Sequence, residues 1–198
     1  MDDVTIRPAR VEDAAGIARV SVDTWRTAYQ GIMPDDLLAG LDYAKRAAAQ
    51  REHLRKNDSA HACFVAEDHA GRIIGFAAAG PRRRGDEDTT HGSFGFAAAG
   101  ESDERCTGEL YAIYVLAARQ KKGVGRRLMG EAVRWLRDHG HAAMLVWVLE
   151  KNPTRKFYED LGGRLLGSMS AKFVPLEKIS YGWEDMDRLA ALLEGQVS

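Results

Sequence analysis

The stretch that most constrains the fold runs from Gly108 to His139, where an alternating apolar segment, a turn with two glycines and an amphipathic run follow one another without a gap. From Glu109 to Val115, β-branched and aromatic residues recur with period two. That predicts a strand with Glu109, Tyr111, Ile113 and Val115 on one face and Leu110, Ala112 and Tyr114 on the other. Two apolar faces mark an internal strand, and Glu109 is the one carboxylate aligned with them. Beyond Arg119-Gln120-Lys121-Lys122-Gly123-Val124-Gly125-Arg126, the residues Val124, Leu128, Ala132, Trp135 and Leu136 fall at helical spacing, so the helix begins inside the glycine turn. Its unpaired N–H groups and positive dipole end point into that turn, where Gly123 and Gly125 lack the Cβ atoms that would hold a phosphate off. Lys121, Lys122, Arg126 and Arg127 add positive charge. Two glycines alone more often form a plain strand-to-helix turn with a solvated basic face, so the context has to decide.

That context is a second signature. Gln120-x-x-Gly123-x-Gly125 after the Glu109–Val115 strand resembles motif A of the GNAT family of N-acetyltransferases. Asn152-Pro153, followed by Phe157-Tyr158-Glu159-Asp160-Leu161-Gly162, is similar to that family's later signature. The resemblance spans almost the whole chain. It implies an α/β fold with a mixed, mostly antiparallel central sheet, parallel and splayed central strands, and flanking helices. It also implies acetyl-CoA as co-substrate. Pantetheine would bond the strand backbone around Ile113, Tyr114 and Val115, and a backbone N–H near Val115 would polarise the thioester carbonyl. The N–H groups of Gln120, Lys121, Lys122, Gly123, Val124, Gly125 and Arg126 would hold the pyrophosphate, with Asn152 and Phe157 along the coenzyme's other side. One departure is Gly163, which stands after Leu161-Gly162 where the family usually carries phenylalanine.

The chemistry so implied is direct attack of a primary amine on the thioester within a ternary complex. An alkylamine with a pKa near ~10.4 must lose a proton before or during attack. Glu109 matches the family position proposed to draw that proton, and burial beside apolar neighbours would raise its pKa in the useful direction. Orienting a cationic substrate or pairing with an arginine are the roles left open beside it. Tyr158 matches the tyrosine that protonates the departing thiolate. No metal is needed, and Cys63 and Cys106 show no metal spacing and read as free thiols. The competing function is a catalytically silent module that binds acyl-CoA and regulates. A nucleotide-phosphate loop is disfavoured because GxxxxGK[ST] is missing.

With 198 residues, 45% of them hydrophobic, the chain suits one domain, residues 1–184, with a C-terminal helix and tail over 185–198. Its 28 basic and 29 acidic residues create no global field, so nucleic acid and anionic membranes are not expected partners. The first residues lack a signal pattern and no segment approaches bilayer length, giving a cytoplasmic expectation.

Along the chain, Val4–Arg7 reads as a strand and Val11–Tyr29 as a helix with Ile17, Ser21, Thr24, Trp25 and Ala28 on one face. Pro34 opens a further helix at its first position, and helical pattern resumes from Asp42 to about Lys56. Trp25 and Tyr29 sit where the resemblance puts the acceptor wall, although aromatics four apart are more often core. Two strands flank the turn Asp68-His69-Ala70-Gly71. The long polar connection 80–107 contains Gly95–Gly100, a copy of Gly75–Gly80, and reads equally as a lid or as disorder. Ala143–Leu149 is a strand parallel to Glu109–Val115. Asn152 caps a helix that Gly162-Gly163 closes, and Arg164–Ala171 and Phe173–Trp183 form an antiparallel pair. The tail helix, with Met186, Leu189, Ala190 and Leu193 in a stripe, packs either on the sheet or on a second subunit of a homodimer. The acceptor amine is left open among small molecules, peptide N-termini and lysine side chains.

Overall fold

The computed structural model describes residues 4–56, 59–83, 104–170 and 176–195. The strands are β1 (Val4–Pro8), β2 (Ala62–Asp68), β3 (Ile73–Pro81), β4 (Gly108–Val115), β5 (Met144–Leu149), β6 (Arg164–Ser170) and β7 (Glu177–Trp183). They form one seven-stranded sheet of order β1-β2-β3-β4-β5-β7-β6. Every neighbouring pair is antiparallel except β4–β5. Those two are joined by a crossover through α4 (Val124–Asp138), which brings the chain back to start β5 beside the start of β4.

The parallel pair is short. Only Gly108–Leu110 faces Met144–Val146, and past that point the two strands part. The cause is on the other edge of β4: Ala78 pairs with Ala112 but Ala79 pairs with Leu110, so Tyr111 is an extra residue, a bulge. A bulge bends its strand and shifts the side-chain alternation beyond it. Strict period two, read from the sequence, is therefore broken at Tyr111. Leu110 and Val115 are part of the core beneath α4, with Ile113 packed against it, whereas Tyr111 and Ala112 belong to the core on the opposite face and Tyr114 packs against that.

Helices cover both faces. On one, α4 buries Val124, Leu128, Met129, Ala132, Val133 and Leu136, each of the larger ones worth about 1.5–3 kcal/mol of burial. Trp135, expected in that stripe, lies at its margin and stacks on His139 with ring centroids 3.8 Å apart. The tail helix α6 (Met186–Leu193) lays Met186, Leu189 and Leu193 into the same core and packs on α4, so its apolar stripe is covered by its own chain. On the other face lie α1 (Ala14–Ala28), preceded by a 3-10 turn at Val11–Asp13, and α3 (Tyr43–Lys56), which packs against α1. Between them, Pro34 is the cap of α2 (Asp35–Ala39), one position earlier than expected.

The hairpin turn after β2 is held by Asp68. Its carboxylate accepts from the backbone N–H of Ala70 and Arg72 and pairs with the Arg72 guanidinium at 2.8 Å. Of the expected lid 80–107, residues 84–103, with the duplicated hexamer and His91, lie outside the described residues, as does the expected start of β7 at Phe173. No described helix is long and apolar enough to cross a membrane.

Candidate functional site

The parting of β4 and β5 opens a cavity of about 650 Å³ that runs from the glycine turn through the sheet to the α1 side. That volume fits a small-molecule or cofactor site. Its walls are Tyr111–Val115 and Val146–Leu149 from the two strands, the turn before α4, the start of α5 (Arg155–Asp160), and Thr24, Ala28 and Tyr29 from the end of α1.

At the glycine turn, Lys121 and Gly123 take left-handed backbone at φ 59° and 80°. Gly123 suits that conformation, and the turn brings successive N–H groups to one side. The first main-chain bond across the turn into α4 is Arg127 N–H to Gly123 C=O at 3.0 Å. Among the described residues, the N–H groups of Gly123, Val124, Gly125 and Arg126 have no acceptor in the protein. Gly125 is open in the same way, since a Cβ there would meet only Val115 Cγ2, at 4.0 Å.

Gln120 behaves differently. Its N–H closes a 3-10 turn on Ala117 C=O at 3.2 Å, and its side-chain amide donates to Val115 C=O at 2.9 Å. It ties the turn to the end of β4, its N–H bonded inside the turn and the residue itself on the cavity wall. Lys121, Gly123, Gly125 and Arg126 line the cavity; Lys122 and Val124 do not, Val124 being a core side chain whose N–H alone faces the turn. The Arg126 guanidinium turns away to Leu192 C=O.

Along β4, Leu116 N–H bonds Ile74 C=O on β3. Alternation of the ladder then aims the N–H groups of Ile113 and Val115 at the gap left by β5. Ile113, Tyr114 and Val115 all line the cavity.

Opposite them, Asn152 Oδ1 accepts from Thr154 N–H at 2.9 Å in a turn, and the cap of α5 is Thr154, two residues later than the Asn152 cap expected from the sequence. Regular helix starts only at Arg155. Phe157 and Tyr158 lie edge to face at 5.4 Å, and both line the cavity with Asn152. Burial, with Tyr114 nearby, pushes the Tyr158 phenol well up from its ordinary value, so it carries its proton at neutral pH. The unusual Gly163 has a local cause: a Cβ there would lie 2.7 Å from Trp183 Cζ2 and 2.9 Å from Tyr158 C=O. Trp183, whose indole N–H donates to Leu161 C=O at 2.8 Å, fills the space beside it.

The far chamber holds the residues that sequence reasoning missed. Glu109, expected as a buried carboxylate acting as the base, orienting a cation or pairing with an arginine, is fully buried in an ion pair with Arg83. One oxygen accepts from Arg83 N–H at 2.9 Å and the other from its Nε at 3.1 Å and its Nη2. Glu109 does not reach the cavity wall, whereas Arg83 does, with its guanidinium 4.6 Å over the Tyr111 ring. Lys178, on β7 opposite Leu149, also lines the cavity. Burial and the Arg83 charge lower its ammonium to about 8, with Glu109 pulling the other way. The alternation of β7 held the signal for it: Lys178 shares its face with Ser180 and Gly182, the face left over once Ile179, Tyr181 and Trp183 fill the core. Tyr29 lines the chamber while Trp25 is core, 5.4 Å from it edge to face. Among the described residues, no group of three or more His, Cys, Asp and Glu is placed to hold a metal, and Cys63 and Cys106 form no disulfide.

The sequence matches the family model described as Acetyltransferase (GNAT) family over residues 22–163. It is 36% identical over 192 residues, 96% of this chain and 98% of the relative, to the Bacillus subtilis protein described as Uncharacterized N-acetyltransferase YuaI. Among solved structures it resembles PaiA N-acetyltransferase from Thermoplasma acidophilum in complex with coenzyme A, at a TM-score of 0.64 and 16% identity, covering 91% of this chain and 99% of that one. It also resembles YncA, a putative acetyltransferase from Salmonella typhimurium with its cofactor acetyl-CoA, at a TM-score of 0.62 and 23% identity, covering 91% and 92%. The two structural likenesses speak for the fold, and the sequence match over most of its length speaks for descent: the chain belongs to the GNAT acetyltransferase family.

Proposed function

We propose that the protein transfers the acetyl group of acetyl-CoA directly to a primary amine in a ternary complex. The observation that carries this reading is one continuous cavity with unoccupied N–H groups at Gly123–Arg126 at one end, a protonated Tyr158 on its wall and a buried polar chamber at the other. The chemical character of each part suits one piece of the reaction. Backbone N–H groups at a helix start take a diphosphate, and the open edge of β4 at Ile113 and Val115 takes the amides of pantetheine as a further strand would. The Val115 N–H polarises the thioester carbonyl. Two structural relatives, described in complex with coenzyme A and with acetyl-CoA, support coenzyme binding as such.

The acceptor amine enters from the chamber under α1, attacks the carbonyl carbon and expels the thiolate. The C–S bond breaks as the C–N bond forms, Tyr158 gives its proton to sulfur, and the proton shed by the attacking nitrogen passes through water to restore the phenol. Asn152 and Phe157 hold the coenzyme on the α5 side. Glu109 serves as the positioning partner of Arg83, since both of its oxygens are bonded there; acting as the base would require one of them to leave the guanidinium. A Glu109→Gln variant separates the two roles: positioning leaves the shape of the pH profile of kcat intact, while loss of its acidic limb would assign the base to Glu109.

Initial rates with both substrates varied test the reaction. Thiol release that needs an amine and gives intersecting double-reciprocal lines is expected. Acetyl-CoA binding with no amine-dependent release would identify a silent coenzyme-binding module instead.

A further inference from the structure

We propose that the acceptor chamber is built to seat an acidic group, so that the amine acetylated is one that also carries a carboxylate, an α-amino acid or a close analogue. This rests on the acetyl-transfer reading and adds the class of its substrate. The chamber wall carries two buried cations, Arg83 and Lys178, at 6% and 3% exposure. Arg83 lies just past the end of β3 and Lys178 on β7, close enough for the Arg83 charge to act on the Lys178 ammonium. Arg83 is fixed from behind by Glu109 and from the side by Tyr111. That leaves its Nη1 edge without a bond among the described residues. Thr24, 4% exposed on the same wall, has a buried hydroxyl that is also without a partner. A third cation, Arg46, lies 4.6 Å over the Trp25 ring and acts with Arg83 on the Tyr114 hydroxyl.

A carboxylate answers these groups in kind. It accepts from a guanidinium edge, an ammonium and a hydroxyl at once, as charge-assisted bonds. A diamine or polyamine would bring a second cation against Arg83 and Lys178, a repulsion that discriminates against it. Among the described lining residues the one carboxylate is Asp160, on α5, and it is paired with Lys156 at 3.0 Å. The chamber therefore offers positive charge where the acceptor's body must rest.

The test is a comparison of thiol-release rates, at saturating acetyl-CoA, for free amino acids, the matching amino acid carboxamides and alkyl diamines. The seat predicts a preference in kcat/KM of at least about tenfold for the acid over its carboxamide. Lys178→Met should raise KM for the acid about tenfold and bring the acid-to-amide ratio towards one. An unchanged affinity for coenzyme A shows that this variant is folded. Equal rates for acid and carboxamide, a preference for diamines, or an unmoved KM in the variant overturns the seat while leaving acetyl transfer standing. Silence towards every amine by a protein that binds acetyl-CoA removes both.

Discussion

Tyr158 shows at the scale of one residue how burial sets chemistry. A phenol raised by desolvation stays a donor throughout the physiological range, so Tyr158→Phe should lower kcat by about 100-fold while binding of acetyl-CoA is kept, as stopped-time thiol assays and calorimetry would show. Lys178 moves the other way. Its charged form is disfavoured by burial and by Arg83 and favoured by Glu109, so the ammonium is present below about pH 8 and lost above it. KM for a carboxylate-bearing acceptor should therefore rise as pH passes about 8. The Arg83–Glu109 pair has side chains only 3% and 1% exposed, and removing one partner strands the other. Arg83→Met should cost about 3–5 kcal/mol in chemical denaturation, with part of it recovered in the double variant with Glu109→Gln.

At the scale of elements, the hairpin between β2 and β3 and the end of α5 each depend on one position. The Arg72 guanidinium and the turn N–H groups hold the Asp68 carboxyl down at about 2. A depressed carboxyl stabilises the fold above its unfolded pKa near ~3.9 and loses that contribution as pH falls towards about 2. Asp68→Asn should thus be less stable than the parent at neutral pH, with the difference vanishing across that acid window in pH-dependent unfolding. Gly163→Ala should destabilise by about 1–3 kcal/mol, because Trp183 and the Tyr158 carbonyl already occupy the Cβ position.

The strand, turn and helix around Gly123 were legible because periodicity and glycine spacing are local. So were the hairpin and the place of Tyr158 on a short helix before Gly162. The bulge at Tyr111 was not, since a two-residue alternation reads the same whether or not the partner strand slips by one. Pairing of Glu109 with an arginine was left open by the sequence, but that the partner is Arg83 was hidden, since the two are 26 positions apart. Lys178 could have been found on the unused face of an alternating strand, but what it faces depends on three strands at once.

At the scale of the whole molecule, the sheet acts as a frame that opens between its central strands where β4 and β5 part, and helices on both faces brace the opening. The tail helix belongs to that bracing, which the sequence left undecided between the sheet and a second subunit. Occupation of the gap should tie the two halves of the sheet together: acetyl-CoA at about 100 times its Kd should stabilise the fold by about 2.7 kcal/mol.

Amide hydrogen exchange with and without acetyl-CoA tests the central claim most directly, because it reads the N–H groups said to hold the coenzyme. Protection centred on Ile113–Val115 and on Gly123–Arg126, with the far edge strands β1 and β6 unchanged, is the predicted result. Bound acetyl-CoA with those amides still exchanging as fast as in the free protein would contradict it.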